Sequence, residues 1–165
     1  MMEPIFFYGF GGLAVVTALL MVTRVNPIAS AVWLVVCFFA FAALFITLEA
    51  HFIGVIQVLL YAGAIMVLFI FVIMLLNIGA EELKARTMQF SGLLGGLVTI
   101  YLIVLITLGL LKNPVRFFEP LTEGYGYVAP VGRLLFTKYL VPFELTSVLL
   151  LVAIVGSVVM GKRKL

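Results

Sequence analysis

Residues 57–76 read QVLLYAGAIMVLFIFVIMLL. The second half of this stretch is almost entirely hydrocarbon, and about 20 such residues are what a helix needs to cross a bilayer. The first half instead carries Gln57 and Tyr61, followed by the small run Ala62-Gly63-Ala64. Polar side chains and glycine are costly inside a membrane helix. The stretch therefore predicts a membrane-spanning helix whose first half carries residues that crossing the bilayer does not require.

The composition of the whole chain places it in the same class. The 165 residues are 65% hydrophobic and 10% charged, with a mean hydropathy of +1.35, whereas a soluble domain carries roughly 25% charged residues. So little charge cannot cover a water-exposed surface. The net charge of +3 comes from basic residues that lie between and after the apolar runs, which is typical of topology determinants and lipid contacts rather than of nucleic-acid binding. We expect the lipid bilayer to be a partner and nucleic acid not to be one.

The apolar runs predict an all-α membrane protein, a bundle of five transmembrane helices that forms one membrane domain over residues 1–165. Asn26-Pro27 is a good N-cap followed by a proline at the first helical position, and it marks the start of the second span. Between the last two spans, residues 112–139 are expected to form an extended, irregular outer loop. The predicted spans are about residues 4–23, 28–48, 52–76, 90–111 and 140–160.

The distribution of Lys and Arg gives the expected orientation. With the C-terminus in the cytoplasm, six of the ten basic residues lie on the cytoplasmic side, and the other four share one longer loop where positive charge is better tolerated. The N-terminus is therefore predicted outside, in the periplasm. The six are Arg24, Lys84, Arg86, Lys162, Arg163 and Lys164, and the four are Lys112, Arg116, Arg133 and Lys138.

The sequence offers no catalytic, cofactor-binding or metal-binding constellation. One histidine and one cysteine cannot build a zinc, haem or iron–sulfur site from this chain alone. The ionisable residue that stands out within a span is Glu144, after Pro142-Phe143 in the fifth span. Its carboxylate fits a hydrated path or a contact with another subunit, and it fits equally a position at the membrane interface.

Two interpretations of the opening stretch remain open on the residues alone. Gln57 and Tyr61 share one face of an α-helix and can hold water by hydrogen bonds, while Gly63 lowers helix propensity by about 1 kcal/mol relative to alanine. A span of about 25 residues also exceeds the roughly 20 required, which suits a tilt or a π-bulge. Tight helix packing explains the same residues, and periodicity alone favours packing.

The same residues resemble a known protein family. Glu49 to Asn77, EAHFIGVIQVLLYAGAIMVLFIFVIMLLN, closely resembles the signature helix of the J subunits of proton-pumping NADH:quinone oxidoreductase, respiratory complex I, whose mitochondrial counterpart is subunit six. The Arg24-Val-Asn26-Pro27-Ile-Ala opening of the second span and Phe143-Glu144-Leu-Thr-Ser in the fifth are similar to the family as well.

This resemblance implies a subunit of a translocating enzyme that is not catalytic alone and has no redox centre. NADH, FMN, iron–sulfur clusters and quinone are then expected in partner subunits. The expected partners are the H, A and K subunits and the neighbouring antiporter-like subunits, and the expected location is a bacterial inner membrane. The implied function is to couple quinone reduction to proton translocation.

The resemblance also implies a mechanism for the third helix, which in the family switches between a π-bulged and a regular α form and so gates a hydrated proton path. The bulge is expected near Tyr61 to Val67, with Tyr61 and Gly63 as pivots and with Met66 and Phe69 reoriented. Some relatives have a carboxylate where this chain has Gln57, so Gln57 is expected to hold water rather than a proton. The implied gate residues are Tyr61, Ala62, Gly63, Ala64, Ile65, Met66, Val67 and Phe69, and the implied hydration path is Gln57, Tyr61 and Glu144.

Two alternative functions stay open from the sequence. Related subunits occur in cation antiporters and in membrane-bound hydrogenases, although the chain has no inverted repeat and almost no buried charge that could bind an ion. A purely structural packing subunit is the other alternative.

Overall fold

The computed structural model describes residues 3–76, 89–112 and 124–162, and the surroundings of side chains for residues 4–76, 95–112 and 124–162. Within these ranges the chain is helical, and five helices are long and apolar enough to cross a membrane. The prediction of an all-helical protein with five candidate spans is thereby confirmed. The helices are α1 (Glu3–Thr23), α2 (Pro27–Thr47), α3 (His51–Leu76), α4 (Gln89–Lys112), α5 (Val128–Thr137) and α6 (Leu140–Gly161).

Small side chains hold α1 against α2. Ala14 and Thr17 are buried on α1, and the residues buried on α2 are Ala31, Cys37, Ala40 and Ala42. Small residues let two helix backbones approach closely, which is the main source of attraction between helices when lipid removes the hydrophobic driving force. Side-chain hydrogen bonds cross the interface: the Ser30 hydroxyl donates to the Met21 carbonyl at 2.7 Å, and the Cys37 thiol approaches the Ala14 carbonyl at 3.6 Å.

The predicted start of α2 is confirmed. The Asn26 side chain accepts hydrogen bonds from the backbone N–H groups of Ile28, at 2.9 Å, and of Ala29, at 3.3 Å, and Pro27 follows at the first helical position. These two bonds satisfy donors that the first turn of a helix otherwise leaves free.

The α2–α3 turn ends α2 with a residue in the left-handed region. Glu49 has φ of 60°, and the N–H of Ala50 donates to the Phe45 carbonyl at 2.8 Å while that of Glu49 donates to Ile46 at 3.1 Å. This hydrogen-bond pattern is a Schellman motif, which usually places glycine at the left-handed position. A glutamate there carries a conformational cost that surrounding contacts must offset.

Close backbone approach continues where α3 leaves this turn. Gly54 is buried, and a Cβ atom at this position would lie 2.9 Å from Cγ1 of Ile46 and 3.0 Å from the Ala42 carbonyl oxygen. Distances this short leave no room for a side chain. The first turns of α3 are therefore fixed directly against the end of α2.

The segment expected to be an irregular loop is partly helical. Residues 113–123 lie outside the described residues, but α5 occupies much of the remainder. Its apolar residues fall on one side, since Val131, Leu134 and Leu135 are half-buried while Arg133 is exposed. Pro130 stands in the first turn, where proline is tolerated because no intrahelical N–H bond is lost. The prediction of an irregular loop is therefore wrong for this part of the segment. The apolar spacing of the helix was obscured by the glycines and prolines around it.

The surfaces of α4 and α6 are apolar and open. Every described side chain of α4 is exposed, and so is every residue of α6 except the half-buried Gly156. Helices that are hydrophobic all round are stable only when lipid or other protein covers them. The organisation of residues 1–165 as one membrane domain stays a prediction.

Candidate functional site

The third helix changes its hydrogen-bonding pattern part-way along its length. It runs as an α-helix over His51–Ile56, as a π-helix over Gln57–Ile65 and again as an α-helix over Met66–Leu76. At the end of the middle part, the π segment, the N–H of Met66 donates to the carbonyl of Tyr61, five residues earlier. Such turns are rare and occur frequently at functional sites. The π segment overlaps the Tyr61 to Val67 range expected for the bulge but begins four residues earlier.

Gln57 is a polar residue buried by this helix. Its side chain is 8% exposed, and the next residues buried along α3 are Ala62 and Met66, at 6% and 3%. The step from Gln57 to Ala62 is five residues, the spacing of hydrogen bonds in a π-helix, and the step from Ala62 to Met66 is four, close to one α-helical turn. These three residues therefore form the stripe of α3 that faces the rest of the chain.

Tyr61 does not share this stripe, although the α-helical spacing predicted that it would lie beside Gln57. Its side chain is 45% exposed, because the wider π turn places Ala62, one residue later, above Gln57. The Tyr61 ring still contacts α2: it meets the ring of Phe38 edge-on, with centroids 5.6 Å apart and planes at 69°. An edge-to-face pair of this kind is a favourable aromatic contact and holds the Tyr61 ring against α2.

Gly63 lies where the π segment tolerates little extra volume. A Cβ atom at this position would lie 3.3 Å from the carbonyl oxygen of Val58, five residues earlier. An alanine would press on this carbonyl, and a branched side chain would add further atoms near it. Glycine at this position is therefore matched to the π register as well as being a weak point of the helix.

The other implied gate residues face outward from this chain. The side chains of Ala64, Ile65, Val67 and Phe69 are exposed, whereas Ala62 and Met66 are buried. This part of α3 thus presents one face to α2 and another away from this chain.

Glu144 lies in different surroundings from Gln57. It is in the second turn of α6 with an exposed side chain, while Gln57 is buried. Its backbone carbonyl accepts a hydrogen bond from the Ser147 hydroxyl at 2.7 Å. Of the three residues expected in a hydration path, Gln57 and Tyr61 therefore lie one turn apart on α3, and Glu144 lies apart from them on α6.

Phe38 and the carbonyl of Val58 belong to the site and were not expected from the sequence. Phe38 is one of several phenylalanines in the α2 span, and no spacing distinguishes it from the others. Among the residues that the structure describes, no group of three or more His, Cys, Asp or Glu side chains could hold a metal ion.

Comparison with known proteins identifies the family. The sequence profile of NADH-ubiquinone/plastoquinone oxidoreductase chain 6 matches residues 17–160, which include the π segment and Glu144. The chain belongs to the NADH-ubiquinone/plastoquinone oxidoreductase chain 6 family. The resemblance of the third span to the J subunits is thereby confirmed.

Relatives match over nearly the whole chain. The NADH-quinone oxidoreductase subunit J of Rhodobacter capsulatus is 32% identical over 95% of this chain and 80% of its own length. That of Pseudomonas aeruginosa is 34% identical over 95% of both chains. The F(420)H(2) dehydrogenase subunit J of Methanosarcina mazei is 33% identical over 93% of this chain and 89% of its own length.

Family membership and the five apolar helices together define what the chain is at a coarse level. It is a multi-pass protein of the bacterial inner membrane and a membrane subunit of the NADH-quinone oxidoreductase type, which associates with other subunits of a multi-subunit enzyme. The apolar faces of α4 and α6 are the kind of surface that such an association covers.

Proposed function

We propose that this chain 6 family member couples quinone reduction to proton translocation through α3, which gates a hydrated proton path. The observation that carries the proposal is the π segment, Gln57–Ile65, with a buried glutamine at one end and Gly63 within it. The chain itself performs no electron transfer in this proposal. NADH, FMN, iron–sulfur clusters and quinone are bound by partner subunits.

A change of register supplies the gate. Converting the π segment to regular α-helix removes one residue from the wide turn, which rotates the following residues by about 100° relative to the preceding ones. Met66 would leave the stripe that faces α2, and Phe69 would be redirected with it. Two packings of one helix need differ by only a few kcal/mol for quinone reduction elsewhere to bias them.

Gln57 supplies the polar end of the path. Its amide offers two donors and one acceptor oxygen, which can hold water inside an otherwise apolar helix pair. Because it is uncharged in both registers, it holds water and does not itself carry the proton. Glu144 on α6 is the carboxylate of this chain that we assign to the path.

The proposed partners are the H, A and K subunits and the neighbouring antiporter-like subunits. The exposed side chains of Ala64, Ile65, Val67 and Phe69 are available to them on α3, as are the open faces of α4 and α6. A gate that opens toward other subunits requires side chains that this chain leaves exposed, because only these can contact another subunit.

Purification from the native membrane tests the assignment to this enzyme. A tagged copy of the chain is expected to co-migrate in mild detergent with flavin and iron–sulfur proteins and with NADH:quinone reductase activity. Recovery of the chain with antiporter subunits alone, without flavin or iron–sulfur absorbance, would contradict the proposal and favour the antiporter alternative. Co-purification with a hydrogenase would likewise contradict it.

The relative from Methanosarcina mazei supports a second candidate for the electron donor. That protein is a subunit of F(420)H(2) dehydrogenase and is as similar to this chain as the NADH-quinone oxidoreductase subunits are. The purified complex therefore needs to be assayed with both donors. Oxidation of reduced F420 and not of NADH would assign the chain to the second enzyme while leaving the α3 gate unchanged.

We also propose that the N-terminus is periplasmic and the C-terminus cytoplasmic. Five spans place the α2–α3 turn and the α4–α6 connection on the same side, and contacts between Glu49 and Gly126 agree with this. The basic residues favour the periplasm for that side. Five of the ten basic residues lie outside the part of the chain that the structure describes: Lys84, Arg86, Arg116, Arg163 and Lys164.

Cysteine labelling checks this orientation. A membrane-impermeant maleimide added to intact spheroplasts is expected to label a Lys138→Cys variant and to leave an Arg24→Cys variant unlabelled until the membrane is opened. The unmodified chain is the control, since Cys37 is buried between α1 and α2. Labelling of Arg24→Cys alone in intact spheroplasts would reverse the orientation.

A further inference from the structure

A short turn before α5 sits directly on the α2–α3 turn. Gly124 has φ of +80°, and the N–H of Tyr127 donates to the Gly124 carbonyl at 3.0 Å, which closes the turn. A Cβ atom at Gly126 would overlap the carbonyl oxygen of Glu49 and lie 3.0 Å from Cα of Ala50. Only glycine allows this approach, so the sequence Gly124-Tyr125-Gly126-Tyr127 is shaped to its partner.

Two more contacts join this turn to the start of α3. The carbonyl of Gly126 accepts a hydrogen bond from the N–H of Phe52 at 2.9 Å, which satisfies a donor that the first turn of α3 has no intrahelical partner for. The imidazole of His51 stacks on the ring of Tyr127, with centroids 5.0 Å apart and planes at 21°. These contacts also help to hold Glu49 in its left-handed conformation.

Among the residues that the structure describes, the opposite end of α3 makes fewer contacts than the His51 end. Every side chain from Val67 to Leu76 is exposed or half-exposed, whereas the His51 end carries a backbone hydrogen bond, a ring stack and the close contact at Gly126. Contacts within this chain therefore favour rotation of the Met66–Leu76 end when the register changes. The His51 end of α3 is therefore the end that contacts within this chain hold in place.

The turn continues into α5 and α6. The ring of Phe136 on α5 meets that of Phe143 on α6 edge-on at 5.0 Å, and Glu144 is the next residue along α6. The His51 end of α3 is thus connected, through α5, to the helix that carries Glu144.

We propose that the turn Gly124–Tyr127 is a clamp that fixes the His51 end of α3. A change of register in the π segment then turns Met66–Leu76 and leaves His51–Ile56 in place against α2 and the turn Gly124–Tyr127. This inference rests on the proposed gate, because it states which end of the gate moves. Gly126, Tyr127 and His51 are positioning residues in it, acting on the gate through the start of α3.

A reversible disulfide across the clamp tests this directly. The double variant His51→Cys/Tyr127→Cys replaces the stacked rings with two thiols in the assembled, membrane-reconstituted complex. Loss of the stack is expected to weaken the clamp by about threefold to tenfold in population and so to lower the proton-to-electron ratio of the reduced protein. Oxidation should form the disulfide, seen as a cross-linked peptide by mass spectrometry, and restore the ratio.

The same preparation contains its own control, since reduced and oxidised samples differ by one bond. The single variant His51→Cys, treated with the same oxidant, reports any damage to cysteines of partner subunits. If oxidation abolishes coupled turnover in the double variant but not in the single one, the His51 end must move and the clamp is overturned. If the two cysteines do not cross-link under oxidant, the exchange measurement on the glycine pair below decides whether the clamp exists.

A glycine pair gives a second measurement. Gly126→Ala places a methyl group on the Glu49 carbonyl, while Gly132→Ala on α5 meets nothing within 4 Å. Hydrogen exchange of the His51–Ile56 peptide is expected to rise in the first variant and to stay unchanged in the second. Equal exchange in both would contradict the clamp. This exchange measurement is independent of coupling, so a failed gate and a failed clamp give different results.

Discussion

Replacing Gly63 with leucine is expected to lower proton-coupled quinone reduction by at least about tenfold. A side chain at this position presses on the Val58 carbonyl in the π register, and overpacking of this kind typically costs 1–3 kcal/mol, of which 1.4 kcal/mol is a tenfold change in population. The gate would then be held in one register. NADH oxidation by an artificial acceptor, which uses only partner subunits in this account, should persist and is measured in the same membranes.

Gly12→Leu is the matched control for this variant. It makes the same substitution in the middle of α1, where a Cβ atom meets nothing within 4 Å. The control is expected to keep coupled turnover near the level of the unmodified protein. Normal coupled activity in Gly63→Leu, with the complex assembled, would contradict the gate, because no register change could then be required at this position.

Gln57→Leu is expected to reduce the proton-to-electron ratio strongly while the complex still assembles. Leucine is similar in volume and suits a buried position, so packing against α2 is retained, but the only polar side chain buried by the π segment is lost. A path lined by leucine there has no group to hold water. The measurement is proton uptake into proteoliposomes per NADH oxidised.

Gln57→Glu is the companion variant, and it is expected to retain coupling because a carboxyl group also holds water. A reduction in complex abundance for Gln57→Leu, with unchanged turnover per assembled complex, would contradict the hydration role and favour the purely structural alternative. That alternative makes the same prediction for Tyr61→Phe, in which the ring contact to Phe38 survives without the hydroxyl.

Local and compositional rules predicted most of the fold. Asn26-Pro27 caps α2 through contacts within three residues of the chain, and each span is recognisable from its own hydrocarbon content. The α5 helix was missed because its apolar residues form only two turns and are surrounded by Gly124, Gly126 and Pro130, which are typical of coil. It contacts α6 through the rings of Phe136 and Phe143, a contact that no local pattern reveals.

The site was predicted less completely because its geometry depends on the helix type. An α-helical period pairs Gln57 with Tyr61, whereas the π period pairs Gln57 with Ala62, and the residues themselves are compatible with both. The family resemblance, rather than periodicity, predicted a π-bulge in this part of α3. Contacts between distant parts of the chain, such as Gly126 on Glu49, required the three-dimensional structure.

The central claim, that α3 changes register during turnover, is tested most directly by the backbone hydrogen bonds of the assembled enzyme. Structures of the membrane-embedded complex, at rest and while it oxidises donor and reduces quinone, need to resolve residues 57–69. We expect hydrogen bonds between residues five apart in one state and four apart in the other, with Met66 and Phe69 rotated by about 100° between the two states. One and the same register in both states, with these side chains unmoved, would contradict it.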